Sequence, residues 1–518
     1  MDNIILMALC KEPNRRYASV EDLSNDISNY LNNLPVSARP NTFTYRLEKL
    51  FQRNKVSFIS VIFVILAVLT GLIVSLWQTQ VARRQRDLAQ TEREKAEKIN
   101  KFLQQMLSFS NQSFTSISPI AQGKNVTVNE MLDQITPNIE AELADQPEVR
   151  SKILRTIGSS YASQGVYEKA EKNLRSALDT QFQIFGMENV ETADTMIELG
   201  VLNFRQSKFQ ESLPLLEKAV NFYRKYQADF PANSPAKLIQ ALDFLAANKF
   251  ASGDSKTAVL LCEEALKIAS NADLKGNERE VLAGLQVDFG LIITRLGDNQ
   301  RGETLIRQGM ALYSEISDKP RWEVGNAKAA LSLCLINRND LDSAESELAE
   351  SEKIIKETLG DSNLYMASTL KGKANVYIAK ADYKSAEKAA SESLKILQQI
   401  LPPDSPFSAG AMVSLGIILT KTGGASEGET FLRQTLKIYE TQTTKNIAFI
   451  VPNKIALTEN LLAQNRINEA EKMGLETISE AQQNLGEQNS VTKTAINNLA
   501  KVYEKQGKKD LTKKYEAK

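Results

Sequence analysis

The sequence of 518 residues contains no histidine and only three cysteines, Cys10, Cys262 and Cys334. The lack of histidine excludes His-based general bases, Ser–His and Cys–His nucleophile pairs and His metal sites. Cysteines this far apart fit neither a metal-binding spacing nor a disulfide framework, and we expect Cys262 and Cys334 to be buried apolar side chains. We therefore expect no catalytic residues, no metal site and no cofactor in this chain.

Net charge is also lacking, because 63 basic residues balance 63 acidic ones. A neutral chain gives no general reason to expect nucleic-acid binding. Glycine and proline are modest, at 24 and 14 residues, and the composition is that of a folded protein. The chain is too long for one hydrophobic core.

One long run of residues, 57–77, contains no charged side chain and 14 residues that are Leu, Ile, Val or Phe. As a helix it would span about 31 Å, which matches the hydrocarbon thickness of a bilayer. Trp77 lies at one end, where an aromatic residue suits the membrane interface. We predict a single transmembrane helix over 57–77, because a signal peptide would begin near residue 1 and a buried core helix is rarely apolar all round.

Basic residues flank this run on both sides, four before it and three after it: Arg46, Lys49, Arg53, Lys55, Arg83, Arg84 and Arg86. The small excess before the run favours a cytoplasmic N-terminus. Residues 35–56 form a basic juxtamembrane segment, and within it 43–53 reads either as an amphipathic helix on the inner leaflet or as a plain linker.

Residues 1–34 show two short helical patterns around a loop, the second capped by Ser19. Glu12, Pro13 and Arg16 lie in the loop, and this segment resembles the end of the C-lobe of bacterial serine/threonine protein kinases. The resemblance implies a structural role for Arg16 and a kinase–membrane–repeat layout in the bacterial inner membrane. The catalytic motifs of that family are absent, and Asp288-Phe289-Gly290, which spells its metal-binding triplet, is expected inside a repeat helix.

The residues that follow the membrane run, 78–109, favour a helical stalk, whereas 110–126 reads as a linker. Ala89, Ala96 and Leu103 recur every seven residues, as do Val81 and Leu88. Two interpretations remain open, a solvated single helix and a stalk that forms a homodimer.

From 127 to 518 the sequence repeats, with turn positions separated by 42 to 46 residues. These positions are Gly165, Ser207, Gly253, Gly297, Asn339, Ala381, Gly423, Asn465 and Gly507. Small residues recur five and twelve positions after each turn, and a large apolar residue lies eight before it, except at Lys373. A fixed period of this length predicts about nine stacked helix pairs, a solenoid.

The pattern of small and large residues resembles tetratricopeptide repeats, and the 42-residue period resembles the kinesin-light-chain variety. The resemblance implies an all-α fold in which a right-handed superhelix carries a groove, lined by the first helix of each pair, for a protein or peptide partner. Positions ten, six and two before each turn should face that groove. They include Arg155, Ser159, Arg205, Asp243, Arg295, Asn337, Lys371, Asn375, Asn497 and Lys501.

Lys371 and Asn375 resemble half of a carboxylate clamp, although the next two units offer only Ser414 and Pro452 where the clamp needs further donors. The sequence thus leaves three hypotheses: a membrane-anchored interaction scaffold, the anchor and sensor half of a kinase, and an adaptor whose repeats face the cytoplasm. We expect the repeats to lie outside the cytoplasm.

Overall fold

The computed structural model describes residues 1–108, 128–226, 234–317, 319–441 and 445–516. It divides into two compact units, Met1–Gln105 and Met106–Lys518, which are treated separately below. Throughout these ranges the regular structure is helical, without strands. The predicted linker at 110–126 lies outside the described residues.

The first unit contains four helices, separated near its start by a 3₁₀ turn at Pro13–Arg15. They are α1 (Asp2–Ala8), α2 (Val20–Leu31), α3 (Phe43–Arg53) and α4 (Lys55–Ser108). Ser19 caps α2 as predicted, because its hydroxyl accepts a hydrogen bond of 3.1 Å from the backbone N–H of Asp22. Arg16 donates from its side chain to the carbonyl of Cys10 and so links the two sides of the loop.

A small core holds the start of this unit together, with Ile4, Val36 and Tyr45 buried. Beside it the Asp26 carboxylate accepts hydrogen bonds from the backbone of Ser37 at 2.8 Å and from the hydroxyl of Tyr17 at 2.7 Å. Burial, together with the bond to Asp26, raises the pKa of Tyr17 to about 12. This bonded carboxylate fixes the chain between α2 and α3.

Helix α4 runs without a break through the predicted membrane run and the stalk. Within the described residues, one stretch, Phe63–Thr91, is long and apolar enough to cross a membrane, and none of it is buried. The predicted span at 57–77 overlaps this stretch over residues 63–77. The exposed side chains include Phe63, Leu72 and Trp77.

The second unit begins with α5 (Val128–Glu142), after which the helices alternate as first and second members of nine pairs. The first five pairs are α6 (Pro147–Ser163) with α7 (Tyr167–Phe185), α8 (Val190–Arg205) with α9 (Phe209–Lys225), α10 (Ser234–Ala251) with α11 (Ser255–Asn271), α12 (Glu278–Arg295) with α13 (Asn299–Ile316), and α14 (Trp322–Asn337) with α15 (Leu341–Leu359). The last four are α16 (Leu364–Ala379) with α17 (Tyr383–Ile400), α18 (Pro406–Thr422) with α19 (Ala425–Glu440), α20 (Ile447–Ala463) with α21 (Ile467–Leu485), and α22 (Ser490–Lys505) with α23 (Lys509–Glu516).

The turn inside every pair has the same backbone conformation. All nine predicted turn positions have a positive φ, from 58° at Ala381 to 98° at Gly297. A left-handed residue at this point closes the first helix and turns the chain back along it. The repeat frame read from the sequence is therefore the frame of the structure.

Small side chains allow the two helices of a pair to pack closely. Those five and twelve positions after the turns are buried wherever the helix pair is complete, for example Ala170, Ala258 and Ser351. At Gly290 an added Cβ would lie 2.7 Å from the carbonyl oxygen of Gly302, so the backbones themselves touch there. The large residues eight before the turns, such as Leu199, Phe289 and Leu457, fill the space between neighbouring pairs.

Lys373, the exception in the apolar series, avoids burying an isolated charge. Its ammonium group lies 2.6 Å from the carboxylate of Glu352 on α15. A neighbouring helix thus supplies the opposite charge, and the repeat frame is kept.

A seam that the sequence did not predict joins helix pairs that are five pairs apart. The hydroxyls of Ser207 and Ser405 lie 2.6 Å apart, and the amide of Asn446 donates to the carbonyl of Phe250 at 2.6 Å. The amide of Asn489 donates to the carbonyl of Leu296. The turns of the second, third and fourth pairs thus contact the N-caps of α18, α20 and α22. The superhelix therefore contacts itself after five pairs, and we call the inner space between its first helices the channel.

Aromatic rings reinforce the seam between these hydrogen bonds. Phe407 lies 5.7 Å from Phe204 and 6.0 Å from Phe209 between ring centroids, in edge-to-face geometry. Phe449 lies 5.9 Å from Phe250 in the same manner. Such ring pairs stabilise a contact beyond the area that they bury.

Candidate functional site

The predicted binding residues lie on the first helices of the pairs, and the structure gives them different surroundings. Arg155 on α6 is fully neutralised by α8, with the carboxylates of Glu198 at 2.8 Å, Glu191 at 3.0 Å and Asp194 at 3.3 Å. Burial alone would lower the pKa of Arg155, but its three carboxylate neighbours outweigh burial and raise it. Arg155 therefore joins two helix pairs.

Ser159 belongs to the same cluster, since its hydroxyl donates to the other oxygen of Glu198. Together with Lys152 and Glu191, Arg155 and Ser159 line an open pocket of about 530 Å³. Two basic and two acidic side chains line the pocket, so its net charge is close to zero. It therefore offers hydrogen bonds rather than an electrostatic potential of one sign.

Lys371 and Asn375, the half-clamp, face α18. The side chain of Lys371 lies against Gly410, where an added Cβ would be 3.1 Å from its Cδ. The Oδ1 of Asn375 accepts a hydrogen bond of 3.0 Å from Ser414. The structure thus places Lys371, Asn375 and Ser414 in one region, with Asn375 already engaged by a neighbour in the chain.

Arg295 reaches from α12 to the seam, where its guanidinium carbon lies 5.1 Å from the centroid of the Phe449 ring. Burial lowers the pKa of this guanidinium, and no ion pair to a carboxylate compensates it within the described chain. Burial and the positive charge of Arg295 lower the pKa of Lys371 to about 7. Two cations thus share one enclosed region without an acidic partner.

Arg205 lies near Tyr365 across the seam. Burial raises the pKa of Tyr365, and the positive charge of Arg205 partly offsets that rise. Asn337 is in a different environment, because its amide donates to Asn299 at 3.2 Å on an exposed surface. Asn497 and Lys501 are also exposed, the latter 3.3 Å from Glu459.

Asp243 and Asp288 form an acidic pair on the neighbouring first helices α10 and α12. Asp243 is only 7% exposed, and its Oδ1 has no hydrogen-bond partner. Burial raises the pKa of Asp288 to about 6, and burial with the nearby Asp288 charge raises that of Asp243 well above its usual range. Asp288 was singled out only as part of a kinase-like triplet, which lies inside α12 as predicted, with Phe289 and Gly290 packed in the core.

The seam aromatics could not be recognised from the spacing of small residues that defines the repeats. Tyr365, Phe407 and Phe449 follow one another at the repeat period of 42 residues, near the start of three successive first helices. That regularity could have indicated a contact outside the repeat itself. No group of three or more potential metal-binding side chains occurs among the residues described.

Comparison with known proteins places the repeats in a recognised class. Residues 150–225 match the family model for the tetratricopeptide repeat. This match covers the first two helix pairs, and the other pairs repeat their turn and packing positions. The second unit is therefore an all-α solenoid whose first two helix pairs match the tetratricopeptide repeat.

Individual relatives are distant. The mouse prolyl 4-hydroxylase subunit alpha-3 is 25% identical over 146 residues, which is 28% of this chain. The chain spans about a quarter of the length of that relative, 25%.

Several solved structures share the helical arrangement. A Rap protein complexed with competence and sporulation factor is 13% identical, covering 69% of this chain and 99% of its own, with a TM-score of 0.44. The apo form of the quorum sensor NprR from B. thuringiensis is 11% identical, covering 73% and 98%, with a TM-score of 0.44. A putative kinesin light chain from Podosopora anserina, with tetratricopeptide-like repeats, is 15% identical over 37% and 92%, with a TM-score of 0.30.

Proposed function

We propose that this protein is a single-pass membrane protein whose repeat channel binds an extended peptide or protein segment as a scaffold or sensor. The observation that carries the proposal is the charge inside the channel, where Arg295 and Lys371 lack acidic partners among the described residues. A solenoid needs its small and apolar residues to fold, but it has no structural need for uncompensated charges. A bound segment would supply the missing partners.

A capture experiment on the full chain tests this proposal. The chain, solubilised in detergent and immobilised, is exposed to a library of random peptides, and retained peptides are identified by mass spectrometry. We expect a restricted set of peptides to be retained, and R295Q/K371M to lose most of it. Retention of no peptide above the level of an empty support would contradict the binding function.

Membrane anchoring rests on the fully exposed apolar surface of α4, which water would not tolerate. We propose the inner membrane of a bacterium, with the N-terminus in the cytoplasm and the repeats outside it. Protease added to spheroplasts should then remove the repeats and spare residues 1–56, whereas in intact cells both should be protected. Release of the chain by alkaline carbonate would contradict a spanning helix.

A second candidate function is the anchor and sensor half of a serine/threonine protein kinase. The observation that favours it is the apolar surface of the first unit, where Leu9, Val20 and Phe43 are more than 70% exposed. A larger body would cover such a surface, and Arg16 would then have a structural role at the contact. The DNA upstream of Met1 tests it: an in-frame or frameshifted kinase domain supports this function, and unrelated sequence contradicts it.

Dimerisation through the stalk is a further part of the proposal. Val81 and Leu88, one heptad apart on α4, are both exposed. We expect L88C to form an intermolecular disulfide in membranes, and R86C, on the opposite face of the helix, to form much less. Equal cross-linking of the two variants would favour the single solvated helix.

A further inference from the structure

The charges at one contact between neighbouring first helices are anomalous. Between the first and second pairs, the residue ten before one turn meets the residue nine before the next, and Arg155 there bonds to Glu198 at 2.8 Å. Between the third and fourth pairs, the same two positions carry Asp243 and Asp288. Like charges thus replace an ion pair at an equivalent contact.

Nothing in the described chain compensates this acidic pair. Asp243 and Asp288 take part in no ion pair there, and the titratable groups near them include Cys262, Tyr313 and Tyr365. The cation beside Tyr313, Arg321, is already paired with Glu280 and Glu323. The Oδ1 of Asp243 is buried without a hydrogen-bond partner. An unbonded buried carboxylate is costly, and a cationic group from a ligand would satisfy it.

One member of the cationic pair, Arg295, lies further along the same helix as Asp288, whereas Lys371 lies on α16. Arg295 follows Asp288 by seven residues on α12, so both point to the same side and their Cα atoms are separated by about 10.5 Å along the axis. The guanidinium of Arg295 stacks on the ring of Phe449, and its positive charge contributes to the lowered pKa of Lys371. The side chain of Lys371 lies beside Gly410 rather than beside a larger residue. The channel therefore has two uncompensated regions of opposite sign, about two helical turns apart.

We infer that Asp243, Asp288, Arg295 and Lys371 form one bipolar site for a peptide that carries a cationic group and a carboxylate about three residues apart. Three residues of extended chain cover about 10 Å, which matches the separation of the two regions. The acidic pair binds the cation, and the basic pair binds the carboxylate. This inference rests on the proposed peptide-binding function and adds the chemistry of the peptide.

Defined peptide libraries test the site on the full chain in detergent. The main library is N-acetylated Lys-Xaa-Xaa-Xaa with a free C-terminus, where Xaa is any uncharged residue except cysteine, and all other libraries are acetylated in the same way. Three comparison libraries replace Lys by Gln, replace the terminal carboxylate by an amide, or shorten the peptide to Lys-Xaa. A fifth library, Lys-Xaa-Xaa-Glu amide, distinguishes a side-chain carboxylate from a terminal one.

We expect the main library to be retained about ten-fold better than the Gln, amide and short libraries, since one charge-assisted bond contributes at least that factor. In D243N/D288N the preference for Lys over Gln should disappear, whereas the preference for acid over amide should remain. R295Q/K371M should show the reverse, and K395Q, on an exposed part of the second helix α17, should behave like the unmodified chain. Circular dichroism confirms that each variant is folded.

The binding function and the bipolar site would be contradicted by different results. Retention of peptides without regard to charge or spacing would leave the binding function standing and overturn the bipolar site. The bipolar site would also be contradicted if D243N/D288N and R295Q/K371M each kept both preferences. Retention of none of the libraries would contradict the binding function together with the site.

Discussion

The hydroxyl of Ser207 lies 2.6 Å from the hydroxyl of Ser405, although 198 residues separate them in the sequence. The contact joins the turn of the second helix pair to the N-cap of the first helix of the seventh. Repeat proteins are usually stabilised by contacts between neighbouring repeats. Here the seam adds contacts between pairs that are five apart, so an opening of the seam would widen the channel without unfolding any repeat.

The aromatic part of the seam can be tested by F407A. Removing the ring takes away its contacts with Phe204 and Phe209, and we expect local opening of the seam to become easier by about 2 kcal/mol, less than for a fully buried ring. Hydrogen exchange of the amides at 206–208 should accelerate. F431A is the matched control, since Phe431 packs within the sixth and seventh pairs. Unchanged exchange at 206–208 in F407A would contradict a stabilising seam.

The Arg155 cluster should be a strong contact between the first two pairs. In R155M, Glu198 would lose its cation, while Glu191 and Asp194 would keep only Lys152 and Lys237, and we expect the stability of α6 and α8 to fall by about 2 kcal/mol. The exposed Arg175, which pairs with Glu171 and Glu211, provides the control, and R175M should cost less than about 0.5 kcal/mol. Amide exchange of α6 and α8 measures both effects locally, and equal losses would contradict this account.

Close packing within a pair predicts opposite results for two glycines on α12. In G290A the new methyl group would lie 2.7 Å from the carbonyl oxygen of Gly302, and we expect a loss of about 1–3 kcal/mol. In G284A the nearest atom is the hydroxyl of Tyr313 at 3.3 Å, and the better helix propensity of alanine should roughly offset that contact. Thermal unfolding of the two variants measures the difference, and a similar loss in both would contradict the packing.

The buried charges predict how stability changes with pH. The pKa of Asp288 is raised to about 6 from an ordinary 3.8, so the folded protein holds this proton more tightly than the unfolded chain. Its contribution to stability is present below about pH 4 and is lost as the pH rises through 6. We expect D288N to be more stable than the unmodified chain at pH 7, and this advantage to vanish near pH 4.

Lys371 should show the opposite dependence, because its pKa is lowered to about 7 from 10.5. The cost of burying this charge is present below pH 7 and fades as the pH rises toward 10.5. The advantage of K371M over the unmodified chain should therefore shrink between pH 7 and pH 10. Unfolding midpoints measured from pH 4 to pH 10 test both D288N and K371M. A constant difference from the unmodified chain at all pH values would contradict the burial of Asp288 and Lys371.

Much of the fold could be predicted because one physical constraint recurs. Every turn needs a left-handed residue, and the packing of the helices needs small residues at fixed distances from it, so Gly165 and Ala170 mark a frame that later repeats keep. The helical cap at Ser19 could be predicted for the same reason, since capping depends on neighbours in the sequence. Lys373 showed that the frame tolerates a charge when a neighbour supplies its partner.

The seam and the charge pairs could not be predicted in this way, because they depend on how many pairs complete one turn of the superhelix. Small rotations between successive pairs add up along the superhelix. Only the structure shows that after five pairs Phe449 lies next to Phe250. Arg155 and Lys371 occupy equivalent predicted positions on the first helices. Nothing in the sequence indicated that Arg155 would be neutralised and Lys371 would not. That difference comes from the neighbouring helix, which carries acids opposite Arg155 and glycine and serine opposite Lys371.

A disulfide across the seam would show directly whether the superhelix closes on itself. We would place S207C and S405C together in the full chain with Cys10 replaced by serine, leaving the buried Cys262 and Cys334 in place, and oxidise it in membranes. We predict rapid and nearly complete formation of an intramolecular disulfide in S207C/S405C, and little in S207C/S490C, where Ser490 contacts the turn of the fourth pair instead. Equal, slow cross-linking of the two variants would show that the superhelix does not close on itself.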